Sequence, residues 1–521
     1  MARQSLSLIA FLLVASPAFA TDVTVQLDSG SGFVVKNSTG AIQRLRVDEA
    51  TGNITRNGNL FVHTTGFESV FVGRFTGNTS STGVSNTGFG TYTLQYNTSG
   101  GRNSAFGAAA LARNTTGIRN SAFGNYALQS NTTTSDNSAF GSRALASNNA
   151  GYWNSAFGEG ALYKNTSGPQ NTAFGKFALY ANTVNGDNSA FGSYSLRANT
   201  TGDSNSAFGQ TALRSNTTGR RNSAFGVGAL YANVSGRYNA AFGQNALRAN
   251  LTNFNSAFGQ SALVVNTTGG SNSALGEAAL QSNTSGNSNS AVGVDALGAN
   301  VAGSYNTAVG YQSGLHITGG SNVTIGSRAG QALTTGSNNI DIANDGAAAE
   351  TGVIRIGTRG THVTTFVAGI ESNVVAGPTV AVEIGSGRLG VVPSSSRFKE
   401  GIEDMGDVSD SLMALRPVRF RYRQSVGGDG HSEEYGLIAE EVAAVAPELV
   451  VYDEKGQPFT VKYQELAPML VNEMKKQQRT IDAQRQENQA QGKQIAALTT
   501  RLAQLEESRA GSTTAPKAAA R

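Results

Sequence analysis

One phrase returns at a fixed step and constrains the fold more than any other feature. It reads NSAFG, two variable residues, AL, two more, then NTTG or NTSG. Its first asparagine stands at 86, 103, 120, 137, 154, 171, 188, 205, 222, 239, 255, 272, 289 and 306. The step is 17 residues, with one step of 16 between Asn239 and Asn255. A second asparagine follows 11 residues after the first, from Asn97 to Asn300. Degenerate copies flank the array: SVFVG at 69–73, NVTIG at 322–326 and NNIDI at 338–342.

A short fixed period means stacked units, each burying a face only against its neighbours. Seventeen residues are too few for a helix pair. Two short apolar runs separated by Asn, Gly, Thr and Ser fit two short strands and two turns per unit. The glycine after each SAF supplies a positive-φ corner. The asparagines tolerate left-handed backbone and can form a hydrogen-bonded ladder when stacked. Ala and Phe of SAF and Ala and Leu of AL are the regular apolar positions, expected as interior stacks. The many N-x-S/T sequons read as turn chemistry repeated with the unit.

One strip of small apolar residues per coil makes a thin core, and three chains on a common axis would bury more. The repeat resembles the head repeats of trimeric autotransporter adhesins, whose units read like NSVAIG and stack as β-rolls. The period here is longer, and the membrane barrel of those adhesins is missing from the C-terminus. The expected fold is mainly β: a solenoid or β-roll fibre of 17-residue repeats, then a small α+β domain and a coiled coil, trimeric as a whole. Residues 21–66 alternate apolar and polar between turns and read as an antiparallel β cap. The repeats run over 67–345, and 346–393 reads as an intertwined β shaft.

Composition changes sharply at residue 394. Residues 21–393 hold 37 charged side chains in 373 positions, and residues 394–521 hold 36 in 128. The former is far below the roughly 25% of ordinary globular domains. Its small basic excess is scattered, so nothing points to nucleic acid. The first twenty residues, MARQSLSLIAFLLVASPAFA, have the charge, apolar run and A-x-A ending of an export signal. A secreted or cell-surface location follows, with no membrane-spanning segment. The chain has no cysteine, which removes disulfides, zinc-thiolate sites and Cys nucleophiles. His63, His316, His362 and His431 are scattered without metal-ligand spacing, so neither metal nor cofactor is expected.

After the seam PSSSRFKEG (393–401) come segments expected as a short helix (409–415), a helix (438–446) stopped by Pro447, a strand (449–452) and a long helix (464–508). Met474, Ile481, Asn488, Ile495 and Leu502 recur every seven residues, as do Leu470, Gln477, Gln484, Gln491, Leu498 and Leu505. That is an a/d seam of about five heptads with a polar middle, and 509–521 reads as a disordered tail. SSSRFKEGI, ALRPVRFRY, YGLIAEEV, PELV, VKYQELAPMLVNEM and the heptads together resemble the intramolecular chaperone and auto-processing domain of phage tailspikes and tail fibres, the S74 peptidase family, with its globular part over 394–463. The resemblance implies a trimerising module that guides folding of the upstream fibre and then cuts itself off once, in cis, with a Ser–Lys dyad. The family motif S-D-x-R-x-K aligns through Arg397 and Lys399. That places the nucleophile at Ser394, the base at Lys399 and the scissile bond at Pro393–Ser394. Ser395 stands where Asp is usual.

The chemistry is consistent with these residue types. A serine hydroxyl needs a base, and lysine serves only when burial lowers its pKa. A spacing of five does not bring the two side chains together on a flat strand, so the chain must bend or Lys399 must act across chains. Ser396-Arg-Phe-Lys399 also spells SxxK, but no KTG or SDN accompanies it. Two other readings stand beside self-cleavage: a structural fibre with a permanently attached trimerisation domain, and a carbohydrate-binding fibre. In the last, Tyr152, Trp153, Tyr231 and Tyr238 are the candidates for contact with a cell-surface glycan or receptor. Carboxylates in the repeats are too few and unpatterned for a glycosidase pair.

Overall fold

The structure, a computed structural model, describes residues 32–36, 43–368, 380–383, 386–426, 431–453 and 455–511. The expected export signal, residues 369–379 of the expected shaft and residues 512–521 of the expected tail lie outside them. The chain forms two compact units that divide between Val367 and Ala368.

The first unit is a β-solenoid. An antiparallel meander of Phe33–Lys36, Gln43–Val47, Ile54–Arg56 and Asn59–His63 leads in. Its last strand pairs antiparallel with Val70–Val72. From there each short strand pairs in parallel with its counterpart one coil on, as far as Ile354–Ile356. Register is without offset: Ser155 faces Thr172, Ala156 faces Ala173 and Phe157 faces Phe174. The 16-residue step leaves this register intact, with Ala240 opposite Ser256 and Phe242 opposite Phe258. The missing residue is absorbed in the turn between Asn250 and Asn255.

Each coil contains one strand, not the two expected. The AL segment is a turn whose leucine is left-handed, with φ of 48–53° from Leu94 to Leu297. A left-handed non-glycine residue costs roughly 1–2 kcal/mol. Complete burial of the leucine side chain contributes about 1.5–3 kcal/mol and offsets it. The regular asparagines, expected to be able to take left-handed backbone, leave that role to Leu and to the residue before each NSAF, such as Arg119 and Trp153.

The asparagines instead hold the coils shut. Asn103 and Asn114 both donate from Nδ2 to the Gly117 carbonyl, at 2.9 and 3.0 Å. Asn114 also donates to Asn97 Oδ1 in the coil before (2.8 Å), and the Asn120 backbone N–H donates to Asn103 Oδ1 (3.0 Å). Both columns are buried, so each amide must find partners inside, and the repeat supplies them except to Asn233 Oδ1 and Asn300 Oδ1. A sequon asparagine such as Asn97, Asn114 or Asn131 is therefore a turn lock with its Nδ2 occupied.

The glycine after each strand does have positive φ, from 123 to 143° between Gly90 and Gly326. A Cβ on Gly209 would sit 2.5 Å from the Gly226 carbonyl oxygen of the next coil. The interior is made of the SAF alanine and the AL pair, for example Ala207, Ala212 and Leu213, all fully buried. The SAF phenylalanine was expected there and is not, because strand alternation turns it outward with the serine. Phe89 to Phe258 stack ring on ring along the outside, with centroids 4.3–5.0 Å apart and planes within 3–9°.

The second unit carries the α+β module. Antiparallel pairs join Val418–Phe420 to Glu434–Gly436 and Val450–Tyr452 to Pro458–Val461. Helix α1 (Ala439–Val445) ends before Pro447, which cannot continue a helix. Gly406–Ala414 is a 3-10 helix, and α2 runs from Tyr463 to Gly511. Val442, Ala446, Leu449, Val450, Val461 and Met469 form a small core.

Candidate functional site

The seam is short and open. Ser396–Phe398 make one 3-10 turn, closed by the Phe398 and Lys399 N–H groups donating to the Ser395 and Ser396 carbonyls (3.0 and 3.1 Å). The Arg397 guanidinium lies 4.8 Å from the Phe398 ring centre. Pro393, Ser394 and Lys399 are all exposed. Among the described residues no hydrogen bond joins the Ser394 hydroxyl to the Lys399 amine. The turn supplies the bend that a spacing of five requires. One chain does not supply the burial that a lysine base requires.

Behind the seam the module is braced by polar contacts. Ser409, fully buried, donates its hydroxyl to Glu473 Oε1 (2.5 Å) and accepts from Asn472 Nδ2 (2.7 Å). Asn472 Nδ2 also donates to the Gly406 carbonyl (2.8 Å). Lys476 pairs with Asp410 and lies 3.1 Å from Glu473 and 3.4 Å from Asp407. The hydrogen bond to Asp410, reinforced by Glu473, raises the Lys476 pKa, the opposite of the shift a lysine base requires. These contacts pin Gly406–Ala414 to the start of α2. Sequence reasoning missed this cluster. Its only signal was the Glu473/Lys476 spacing of three on a helix, and nothing marked Ser409.

Arg416 pairs with both carboxylate oxygens of Glu441 and holds that carboxyl below its ordinary range. The Tyr463 hydroxyl accepts the Leu437 N–H (3.0 Å). Pro417, Val418, Arg419, Tyr435, Gly436, Leu437, Tyr463 and Leu466 line an open groove of about 570 Å³. These residues belong to the ALRPVRFRY, YGLIAEEV and VKYQEL segments.

The module leaves much apolar surface in water. Phe398, Ile402, Met413, Tyr435 and Phe459 are 60–75% exposed. Along α2 the heptad positions Leu470, Met474, Ile481, Ile495, Leu498, Leu502 and Leu505 are exposed too. So many exposed large apolar side chains in one module point to surfaces that another chain would cover.

The sites suggested for glycan contact fall on the solenoid. Tyr152 and Trp153 meet edge to face, with ring centres 5.0 Å apart. Tyr238 stacks on Phe254, and its hydroxyl accepts from Arg221 Nη1. Tyr231 accepts from Arg214 Nη1. Among the described residues no group of three or more His, Cys, Asp or Glu is placed to hold a metal ion, and no helix is long and apolar enough to cross a membrane.

Residues 394–451 match the model of the peptidase S74 family, described as chaperone of endosialidase. No curated protein and no solved structure matches the chain. The C-terminal segment is thus similar to S74 chaperones, and it follows a β-solenoid built of 17-residue repeats.

Proposed function

We propose that the chain is an exported, trimeric β-fibre of the tail-fibre or adhesin type, extracellular or phage-associated. Its C-terminal module is an intramolecular chaperone that drives trimer assembly and then cuts itself off at Pro393–Ser394. The observation that carries this is the start of the family match: it begins at Ser394, the residue assigned as nucleophile. The exposed apolar side chains of the module and α2 support assembly, because other copies would cover them. Burial at a three-chain junction would also desolvate Lys399, so cleavage would wait for correct assembly.

The Ser394 oxygen attacks the Pro393 carbonyl carbon while Lys399 takes the hydroxyl proton. The Pro393–Ser394 amide bond breaks as its nitrogen is protonated, leaving an ester. Water hydrolyses the ester to a Pro393 carboxylate and a free Ser394 hydroxyl. Intact masses of residues 21–521, wild type and Ser394→Ala, test this. The wild type should yield 21–393 and 394–521, and the mutant should stay whole. If both stay whole, the module is a permanent trimerisation clamp, with Ser395 in place of the usual Asp as the first suspect.

A carbohydrate-binding role has one specific observation in its favour. Tyr163, Tyr180, Arg197, Arg214, Tyr231 and Arg248 occupy one position of successive coils, with Tyr163 stacked on Tyr180 and Arg214 and Arg248 over Tyr231. Rings and guanidinium groups in a row suit a glycan chain. A glycan array probed with the wild type and with Tyr231→Ala tests it.

A further inference from the structure

The strand face of the solenoid is uncharged along its whole length and carries a continuous column of large apolar side chains. Its outward positions run from Val70 and Val72 through the Ser/Phe pairs to Ile354 and Ile356. They are Ser, Thr, Ala, Val, Ile, Leu or Phe in every coil. None is charged. The charges between Thr87 and Ile325, such as Arg113, Arg143, Arg197 and Arg248, all lie outside the strands. Depletion of charge is what marks the core of an interface, and solvent-facing β surfaces ordinarily carry charge to prevent association.

We propose that this face is the contact between copies of the same chain, with three solenoids turning it toward a common axis. The inference rests on the trimer reading and names the surface that makes it. Three observations select another copy as the occupant. First, the stripe runs the length of the repeat array without interruption. A partner must offer a matching uncharged stripe of the same length and pitch, and a second solenoid does. Second, the stacked phenylalanines cover each other's ring faces and leave edges outward. A sugar needs an open ring face, whereas edges suit close apolar packing. Third, the area is substantial. Phe89, Phe174 and Phe258 are 37–40% exposed and Leu275 is 53% exposed. The remaining rings of the column are part-exposed, and at about 150–250 Å² per aromatic side chain the column presents several hundred Å², which approaches what one partner contributes to a stable interface. If the module leaves after cleavage, this contact is what keeps the released fibre trimeric.

The absence of cysteine makes the test clean. Ser155→Cys and Ser223→Cys place a thiol on the strand face. Arg197→Cys and Arg248→Cys place one on the Tyr/Arg row. Each full-length variant is sized by light scattering and then treated with a short bis-maleimide. In a trimeric chain we expect covalent dimers from the two strand-face variants, at least tenfold faster than from the other two, since one thiol per chain can join only two chains. A bulky maleimide should react at least tenfold more slowly with the Ser155→Cys variant than with the Arg197→Cys variant. A trimer in which all four positions behave alike has its solenoids apart or in contact elsewhere, which overturns the proposal and leaves the trimer reading standing. A monomer overturns both. Lysine at Ser155, Ser189 and Ser223 together gives a second reading, since these part-exposed positions leave the coil interior untouched. Combined with Ser256→Cys as the reporter, the triple lysine substitution should raise the reactivity of that strand-face thiol at least tenfold, and unchanged reactivity counts against the proposal.

Discussion

The solenoid and the C-terminal module solve burial in opposite ways. In the solenoid the interior alanines and leucines are removed from water within one chain, and the asparagine columns find their partners there except at Asn233 Oδ1 and Asn300 Oδ1. In the module a core of six buried side chains sits beside a larger set of exposed ones, from Phe398 to Leu505. The solenoid is therefore close to self-sufficient in its interior and uncovered along one stripe. The module leaves many large apolar side chains exposed in the single chain. A fibre that folds coil upon coil has long parallel pairing to establish, which is slow and prone to error. Under the proposed function, a module whose exposed apolar side chains other copies would cover suits the task of bringing copies together first.

The largest expected contrast uses one substitution in both regions. Gly209 has φ of 133°, and a Cβ there would meet the Gly226 carbonyl oxygen at 2.5 Å. Both stacked backbones would have to move, so Gly209→Ala should cost about 3 kcal/mol or more, combining strain with overpacking. Gly492 lies within α2, and a Cβ there meets nothing within 4 Å. Gly492→Ala should stabilise the helix by about 0.5–1 kcal/mol. Thermal unfolding followed by circular dichroism separates the two, with β signal lost early in the first variant and helical signal lost later in the second. Equal shifts would break the distinction between a stack locked by backbone contact and a helix open to solvent.

How much of this was legible beforehand follows from where repetition carries the signal. The 17-residue period gave the stacking, the glycine corner and the asparagine ladder, because each recurs at a fixed place. It misplaced Phe. Hydrophobicity says that a residue is apolar, whereas strand alternation decides which way it points, and a three-residue strand is too short to show alternation. Left-handed leucine was also invisible, since local propensity argues against it and only the stacked context overrides it. At the seam, the residue types and their spacing were readable and the geometry was not. Ser394 and Lys399 stand exposed in the single chain, with no hydrogen bond joining their side chains among the described residues, and the Ser409–Glu473 pair joins residues 64 apart.

The interior of the solenoid is uniform, but its two ends are not, and pH should tell them apart. Near the C-terminal end Asp341 takes the inward strand position that alanine holds elsewhere. It is fully buried, with neither carboxylate oxygen hydrogen-bonded. Burial, reinforced by Glu350 and opposed by Arg355, raises its pKa from 3.8 to about 6. The folded state therefore holds the proton more tightly than the unfolded chain does. The Asp341 contribution to stability at this end is greatest below about pH 4, declines as pH rises, and is lowest above about pH 6. The shift corresponds to about 3 kcal/mol, and discounting for the charged neighbours and solvent leaves roughly 1–2 kcal/mol. Asp341→Asn should recover that amount at pH 7.5 and flatten the dependence. Hydrogen exchange of residues 338–356, corrected for intrinsic rates, measures it, and an unchanged slope would show that the carboxyl is not the cause.

His63 at the other end should give a smaller effect of opposite sign. Its ring stacks on Phe71 at 5.1 Å, and Nε2 lies 2.7 Å from the Thr76 carbonyl oxygen. A carbonyl can only accept, so Nε2 carries the hydrogen and Nδ1 is bare. Nδ1 is buried without a partner. Burial lowers the His63 pKa from 6.5, against the pull of the Thr76 carbonyl. The folded state thus favours the neutral ring. Its contribution is complete above pH 6.5 and is lost as pH falls below it, because the unfolded chain takes up the proton first. Between pH 7.5 and 5, amides of residues 59–77 should lose protection while those near Asp341 gain it. His63→Phe should abolish the first change and leave the second. If both ends responded in the same direction, local burial would not be setting the pH response of either cap, and the charge of the whole solenoid would have to be invoked instead.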